Sequence, residues 1–225
     1  MKRLIWCSPV THYLEAELGK VKIRKHQQST RSAYYCEGVR GELFIQYSPK
    51  GNVITQLEIS GKGWMTDEPQ YVWCLQSFAD RSSGNVLVAG LGLGIVVLQL
   101  LSNEAVKKIT VLEIEPDVMQ LISPHFENHP RGRVLEIRED DFYDFMEHDK
   151  EQRDVVIWDL AVWGLNDDKL GLADMLRMPA LVRDKYGPAC QLFRHGFDRD
   201  PVGQKFVKEN QELMYRMKEL LRWQR

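Results

Sequence analysis

The nine residues Val86-Leu87-Val88-Ala89-Gly90-Leu91-Gly92-Leu93-Gly94 constrain this chain more than any other stretch. Val86 to Ala89 is a continuous apolar run. A strand with one wet face would alternate, so this one reads as buried on both faces. Three glycines follow at every second position, and Ile95 to Leu101 then reads as a helix. Glycine is needed where φ turns positive or where a ligand must approach the backbone. A buried strand that passes through a tight glycine turn into a helix is the opening unit of an alternating α/β fold. The helix start would offer unpaired N–H groups to an anion, and a carboxylate is expected there. The spacing is G-x-G-x-G, not the G-x-G-x-x-G of dinucleotide-binding folds, which counts against NAD.

Strands and helices alternate from there on. Ile109 to Leu112, Val134 to Ile137, Val155 to Trp158 and Cys190 to Phe193 read as strands. Pro116 to Phe126, Phe142 to Glu147 and Leu170 to Val182 read as the helices between them, the first opened by a proline at a favourable position. This rhythm predicts a Rossmann-like, doubly wound, mostly parallel sheet. From Pro201 an amphipathic helix carries Phe206, Leu213, Met214, Met217, Leu220 and Leu221 at helical spacing. It packs on the sheet or on a sister subunit, which allows a homodimer.

The first 80 residues have a different texture. Residues 10–20 read as a short helix, and Lys20 to Arg31 as a basic strand or loop face in solvent or facing an anion. Glu42 to Tyr47 and Val53 to Ile59 flank Ser48-Pro49-Lys50-Gly51-Asn52, which predicts a β-hairpin. Pro69 to Phe78 reads as a helix, and the polar run Arg81-Ser82-Ser83-Gly84 marks a boundary. The organisation expected is a small β-rich region over 1–80 and a Rossmann-like domain over 81–225 that ends in a helix.

Composition excludes several classes. With 44% hydrophobic residues among 225, the chain can bury a sizeable core. Lys+Arg 30 against Asp+Glu 32 excludes a strongly basic nucleic-acid binder. Cys7, Cys36, Cys74 and Cys190 form no C-x-x-C pair, and His125, His129, His148 and His195 show no ligand spacing, so no metal is expected. Val86 to Leu101 is too short and too glycine-rich for a membrane span of about 20 residues. The start Met1 to Cys7 resembles a signal peptide, but Pro9, Thr11 and His12 cut its apolar run short. A cytoplasmic protein with reduced thiols is expected.

Ligands of open α/β sheets bind beyond the carboxyl ends of the strands. Glu113 ends the second strand about 20 residues past the glycines, where an acid can accept ribose hydroxyls. Glu115 either joins it or caps the helix that Pro116 opens. Asp140 and Asp141 end the third strand, where an acid can accept from an adenine amine or cap the next helix. Asp159 ends the fourth strand and faces the same pocket, while Trp158 and Trp163 are core or pocket wall.

Together these motifs resemble the class I S-adenosylmethionine-dependent methyltransferase fold, and within it the spermidine-synthase-like branch and small methyltransferase-like proteins of bacteria and phages. The resemblance runs from Gly41 to Arg194 and is most specific over Asn85 to Phe126. It implies that Gly90, Gly92 and Gly94, with Leu91, line the methionine part of the cofactor. It places Glu113 on the ribose and Asp140 on the adenine amine, with Ile114 and Asp141 completing the cofactor set. Asp67-Glu68-Pro69-Gln70-Tyr71 looks like the D-E-x-x-Y stretch whose tyrosine lines the amine pocket, although Asp67 and Glu68 can also cap the helix they precede. Asp159 falls where that branch has its proton-accepting acid, so Tyr71 and Asp159 are the implied catalytic pair. Leu93 replaces the acid of the branch's glycine loop, and Leu160-Ala161-Val162 lacks its second acid after the fourth strand. The amino-directed DNA methyltransferase motif and the Pro-Cys nucleophile of cytosine-C5 enzymes are both missing after the fourth strand. The expectation is a methyltransferase acting on a small-molecule acceptor. Two alternatives are an aminopropyltransferase of polyamine synthesis using decarboxylated S-adenosylmethionine, and a non-catalytic nucleoside-binding module.

Overall fold

A computed structural model describes residues 2–5, 8–29, 32–37, 43–48, 50–160 and 169–194. In chain order the strands β1 (Lys2–Ile5), β2 (Ala16–Leu18), β3 (Val21–Gln27), β4 (Ser32–Glu37), β5 (Leu43–Ser48), β6 (Val53–Ile59) and β7 (Lys62–Thr66) precede helix α1 (Pro69–Arg81). There follow β8 (Gly84–Ala89), α2 (Ile95–Leu101), β9 (Val106–Glu113), α3 (Pro116–Ile122), β10 (Leu135–Glu139), α4 (Phe142–His148), β11 (Val155–Trp158), α5 (Lys169–Tyr186) and β12 (Gln191–Arg194).

The second group builds an all-parallel sheet of order β10-β9-β8-β11-β12. Counted from β8 this is 3-2-1-4-5, the doubly wound Rossmann order, and the direction of winding reverses between β8 and β11. Alternate residues of β8 serve opposite faces. Val86 and Val88 pack with Leu75, Phe78, Ile95, Leu100, Val118 and Ile122 of α1, α2 and α3. Leu87 and Ala89 pack with Phe142, Phe145, Met178 and Val182 of α4 and α5. All four strand residues are fully buried, as the unbroken apolar run predicts.

The helix expected over Pro116 to Phe126 divides. Its α-helical part ends at Ile122 and a 3₁₀ turn runs from Ser123 to Phe126. Pro124 brings no N–H to an α-helical ladder, which explains the change. The expected helix from Pro201, and Trp163, lie outside the described residues. Among the described residues no helix is long and apolar enough to cross a membrane.

The first part of the chain corrects two expectations. Residues 10–20 form turns and then β2, which pairs with β3 through Ala16↔Ile23. Here sheet pairing outweighs a weak local helix preference. The hairpin expected around residues 48–52 is not made by β5 and β6. Instead β6 pairs with β3 from Val21↔Ile59 to Gln27↔Val53, and β5 pairs with β4 from Ser32↔Ser48 to Glu37↔Leu43. The register is the same in both halves, so β3 and β4 form one arm of a long ribbon and β5 and β6 the other. Gly51, at φ +83°, keeps the ladder through the interruption: its N–H donates to Gln28 O, and Gln28 N–H donates to Asn52 O, both at 2.8 Å. Turn-forming residues mark a break in a strand as well as a reversal, and here they mark the break. β1 adds to β5 in parallel. The result is two small sheets, β1-β5-β4 and β2-β3-β6-β7. Val10, Tyr13, Ile23, Leu57 and Met65 join the apolar cluster of β8, α1 and α2, so the cluster on this face of the parallel sheet is shared by both parts of the chain.

Arg153, 1% exposed just before β11, anchors the far end of the parallel sheet. Its guanidinium donates to both oxygens of Asp149 at 2.8 and 3.1 Å, to Asn85 Oδ1 at 3.0 Å and to Thr110 Oγ1 at 2.9 Å. Tyr186 OH donates to Asp149 Oδ2 at 3.0 Å. Breaking a buried pair strands a charge away from water. Asp149→Ala is expected to lower unfolding free energy by about 3–5 kcal/mol in urea denaturation, while the double replacement Asp149→Leu with Arg153→Met recovers most of the loss.

Candidate functional site

The turn after β8 can be built only with glycine. Gly90, Gly92 and Gly94 stand at φ +91°, +51° and +70°, all in the left-handed region. Space adds to the constraint. A Cβ on Gly90 would press on Asp159 O and the Leu160 side chain at 3.2 Å, one on Gly94 would meet the Phe126 ring, and one on Gly92 would meet the Met65 thioether.

Glu113, at the end of β9, holds this loop. Its Oε2 accepts the Leu91 N–H and its Oε1 accepts the Glu115 N–H, both at 2.9 Å. A carboxylate has about four lone-pair sites, so each oxygen keeps one for a further donor. The next residue, Ile114, is 67% exposed, a large apolar side chain lying open beside a carboxylate. Asp140 follows β10, its N–H on Glu113 O at 3.2 Å. Asp141 is a helix cap: its Oδ1 accepts from Tyr143 N–H at 2.8 Å and Asp144 N–H at 3.1 Å. Glu115 makes no cap on α3 and pairs with Lys20 at 2.5 Å, which ties the β2–β3 turn to this end of the sheet.

Asp159 follows β11, its N–H on Ala89 O at 3.1 Å, so it stands directly across from the glycine turn. Tyr71 in the first turn of α1 donates its hydroxyl to this carboxylate, 3.0 Å from each oxygen. The structure thus joins two candidate residues that lie 88 positions apart. Burial, and then the Asp159 charge, push the Tyr71 phenol well above its ordinary range, so it remains a neutral donor.

Two other residues resolve differently. Asp67 neither caps α1 nor faces the glycine turn. It is fully buried, accepts the Thr55 N–H at 2.7 Å and the Ser8 hydroxyl, and fastens the N-terminal segment to β6. Glu68 takes the N-cap position with no side-chain bond to the helix. Met65 carries no sequence signal for a site: nothing in the local pattern marks β7, and a lone methionine reads as ordinary core. Its Sδ accepts the Leu93 N–H at 3.1 Å. That donor lies one residue before the Gly94 cap of α2, which has seven residues. Among the described residues no group of three His, Cys, Asp or Glu is placed to hold a metal.

No family model matches the chain, and no curated protein matches it. Among solved structures, the glycopeptide N-methyltransferase MtfA with S-adenosylhomocysteine aligns at TM-score 0.40 and 20% identity, over 53% of this chain and 46% of that one. The CcbJ methyltransferase from Streptomyces caelestis aligns at 0.39 and 21%, over 54% and 46%. Spermidine synthase from Thermotoga maritima aligns at 0.37 and 16%, over 59% and 53%. The chain therefore spans about half the length of these structures.

Burial lifts the Asp67 carboxyl above its ordinary range, against the lowering effect of its bonds from Ser8 and Thr55. A raised folded-state value means that the native state favours the protonated acid. Its contribution is fully present below the unfolded value of about 3.9 and is lost as pH rises through the folded value. Asp67→Asn keeps an acceptor for Thr55 and cannot ionise. The unfolding free energy of Asp67→Asn relative to the parent should therefore rise with pH above about 4 and then level off, in urea titrations across that range.

Proposed function

We propose that this chain is an S-adenosylmethionine-dependent transferase that moves a methyl group to a small-molecule nucleophile. The observation that carries the reading is the pairing of Tyr71 with Asp159 on one side of the glycine turn, with Glu113 and Ile114 on the other. This is the switch point of the sheet, where α/β folds bind their ligands.

The residues present suit such a nucleoside. Glu113 has lone pairs to accept two ribose hydroxyl protons, Ile114 presents an apolar face to a purine ring, and Asp140 can accept from its amine. When bound, the sulfonium supplies an electrophilic carbon and a neutral thioether leaving group. The protein then has to align a nucleophile and take up its proton. Asp159 accepts that proton as the new bond to carbon forms and the carbon–sulfur electron pair passes to sulfur. Tyr71, held neutral, fixes the carboxylate through its bond to both oxygens.

A second reading, aminopropyl transfer from decarboxylated S-adenosylmethionine in polyamine synthesis, draws support from the same Tyr71–Asp159 pair. Leu93, an apolar residue in the glycine turn, weighs against it because the transferred chain carries a cation. Either reading fits a cytoplasmic protein with a small-molecule partner rather than nucleic acid or membrane, and it treats residues 1–80 as the region that shapes the acceptor side.

Calorimetry with S-adenosylmethionine and S-adenosylhomocysteine, followed by transfer of a labelled methyl group to a panel of small amines, tests the proposal. Asp159→Asn should cut turnover about 10²–10⁴-fold and leave S-adenosylhomocysteine affinity unchanged, as expected for removal of a proton acceptor. Equal loss of both would make Asp159 a cofactor ligand, and silence toward both nucleosides would favour a non-catalytic module.

A further inference from the structure

Met65 reaches the glycine turn through an irregularity in its strand. Leu57 pairs with Met65 but Glu58 pairs with Gly63, so Trp64 is the extra residue of a β-bulge on the edge strand β7. Bulges re-aim side chains and are frequent beside active sites. Here Trp64 goes outward, 49% exposed, and Met65 inward, 7% exposed. The inward side chain lies against Gly92, with Sδ and Cε as its nearest atoms, and Sδ takes the Leu93 N–H. The turn is therefore held at two alternate residues, at Leu91 by Glu113 and at Leu93 by Met65.

A nucleoside seated with its ribose on Glu113 and its 5′ end toward Asp159 must lay any substituent on its sulfur across this turn. We infer that Met65 is the specificity-determining residue for that substituent. A short neutral thioether is received with Met65 in place, and an amino-acid tail enters only after Met65 has turned away. This rests on the nucleoside reading above; S-adenosylmethionine carries the same amino-acid tail, so under methyl transfer its entry is coupled to the turning of Met65. Methionine suits the role: its three rotatable bonds let it swing, and its sulfur is a weak acceptor that yields the Leu93 N–H easily. A ligand that needs the minor, open arrangement has its affinity reduced by the fraction of molecules in that arrangement.

The test is calorimetric titration of the full chain and of Met65→Val with 5′-methylthioadenosine and with S-adenosylhomocysteine. Valine deletes Sδ and Cε yet favours a strand. The full chain is expected to bind methylthioadenosine about tenfold tighter than S-adenosylhomocysteine, and Met65→Val to close that gap by tightening S-adenosylhomocysteine while methylthioadenosine stays within about twofold. Met65→Leu, which refills the space over Gly92, should keep the preference and serves if the valine variant does not fold. A full chain that binds both equally, a valine variant of native-like melting with an unchanged ratio, or a leucine variant that loses the preference overturns the inference. Failure of every form to bind either nucleoside overturns the nucleoside reading itself, a separate outcome.

Discussion

A parallel strand covered by helices on both faces has little room for a polar side chain except at its ends or where a buried partner meets it, as Arg153 meets Thr110. β8 obeys this limit, with Val86 to Ala89 fully sealed between two apolar clusters. The consequence runs through the whole sheet: Glu113, Asp140 and Asp159 all sit one step past or at the carboxyl end of a strand. Parallel order then brings these ends to one side of the sheet, and the reversal of winding between β8 and β11 opens the space between them.

The polar groups at the opposite end and in the N-terminal region have a different task. Arg153 spends its donors on Asp149, Asn85 and Thr110, and Asp67 is enclosed by Ser8 and Thr55. Both are buried and hydrogen-bonded to partners within the chain, which is what tolerating a buried charge or carboxyl requires. Glu113 differs in kind. It also binds the backbone, yet it is only half-buried and stands beside the open side chain of Ile114. A carboxylate that fixes a loop and still has lone pairs to offer can serve structure and ligand together.

The N-terminal region binds the two themes. Tyr71 arrives at Asp159 because α1 packs on the sheet through Leu75 and Phe78. Met65 arrives over Gly92 because β7 carries a bulge and the sheet of β6 and β7 shares the Rossmann core. Lys20 meets Glu115 from the β2–β3 turn. Each of these contacts crosses from the first 80 residues to the carboxyl-end side of the parallel sheet.

Much of the Rossmann-like half was legible from residues alone. Short apolar runs between turn signals, alternating with longer helical patterns, read as buried strands, and three glycines in alternation announce positive φ. The ribbon was less legible, because Pro49 and Gly51 carry the same local signal whether a strand reverses or merely breaks. The fates of the acids were open for a related reason. The sequence by itself determined that acids stand at strand ends, since that follows from local pattern and burial. Only the tertiary structure decided that Asp141 caps α4, that Glu115 turns to Lys20, that Asp67 is sealed in the core, and that Tyr71 and Met65 converge on the glycine turn. Those outcomes depend on strand register, one bulge and the packing of α1, and no local stretch of residues encodes where a distant side chain will arrive.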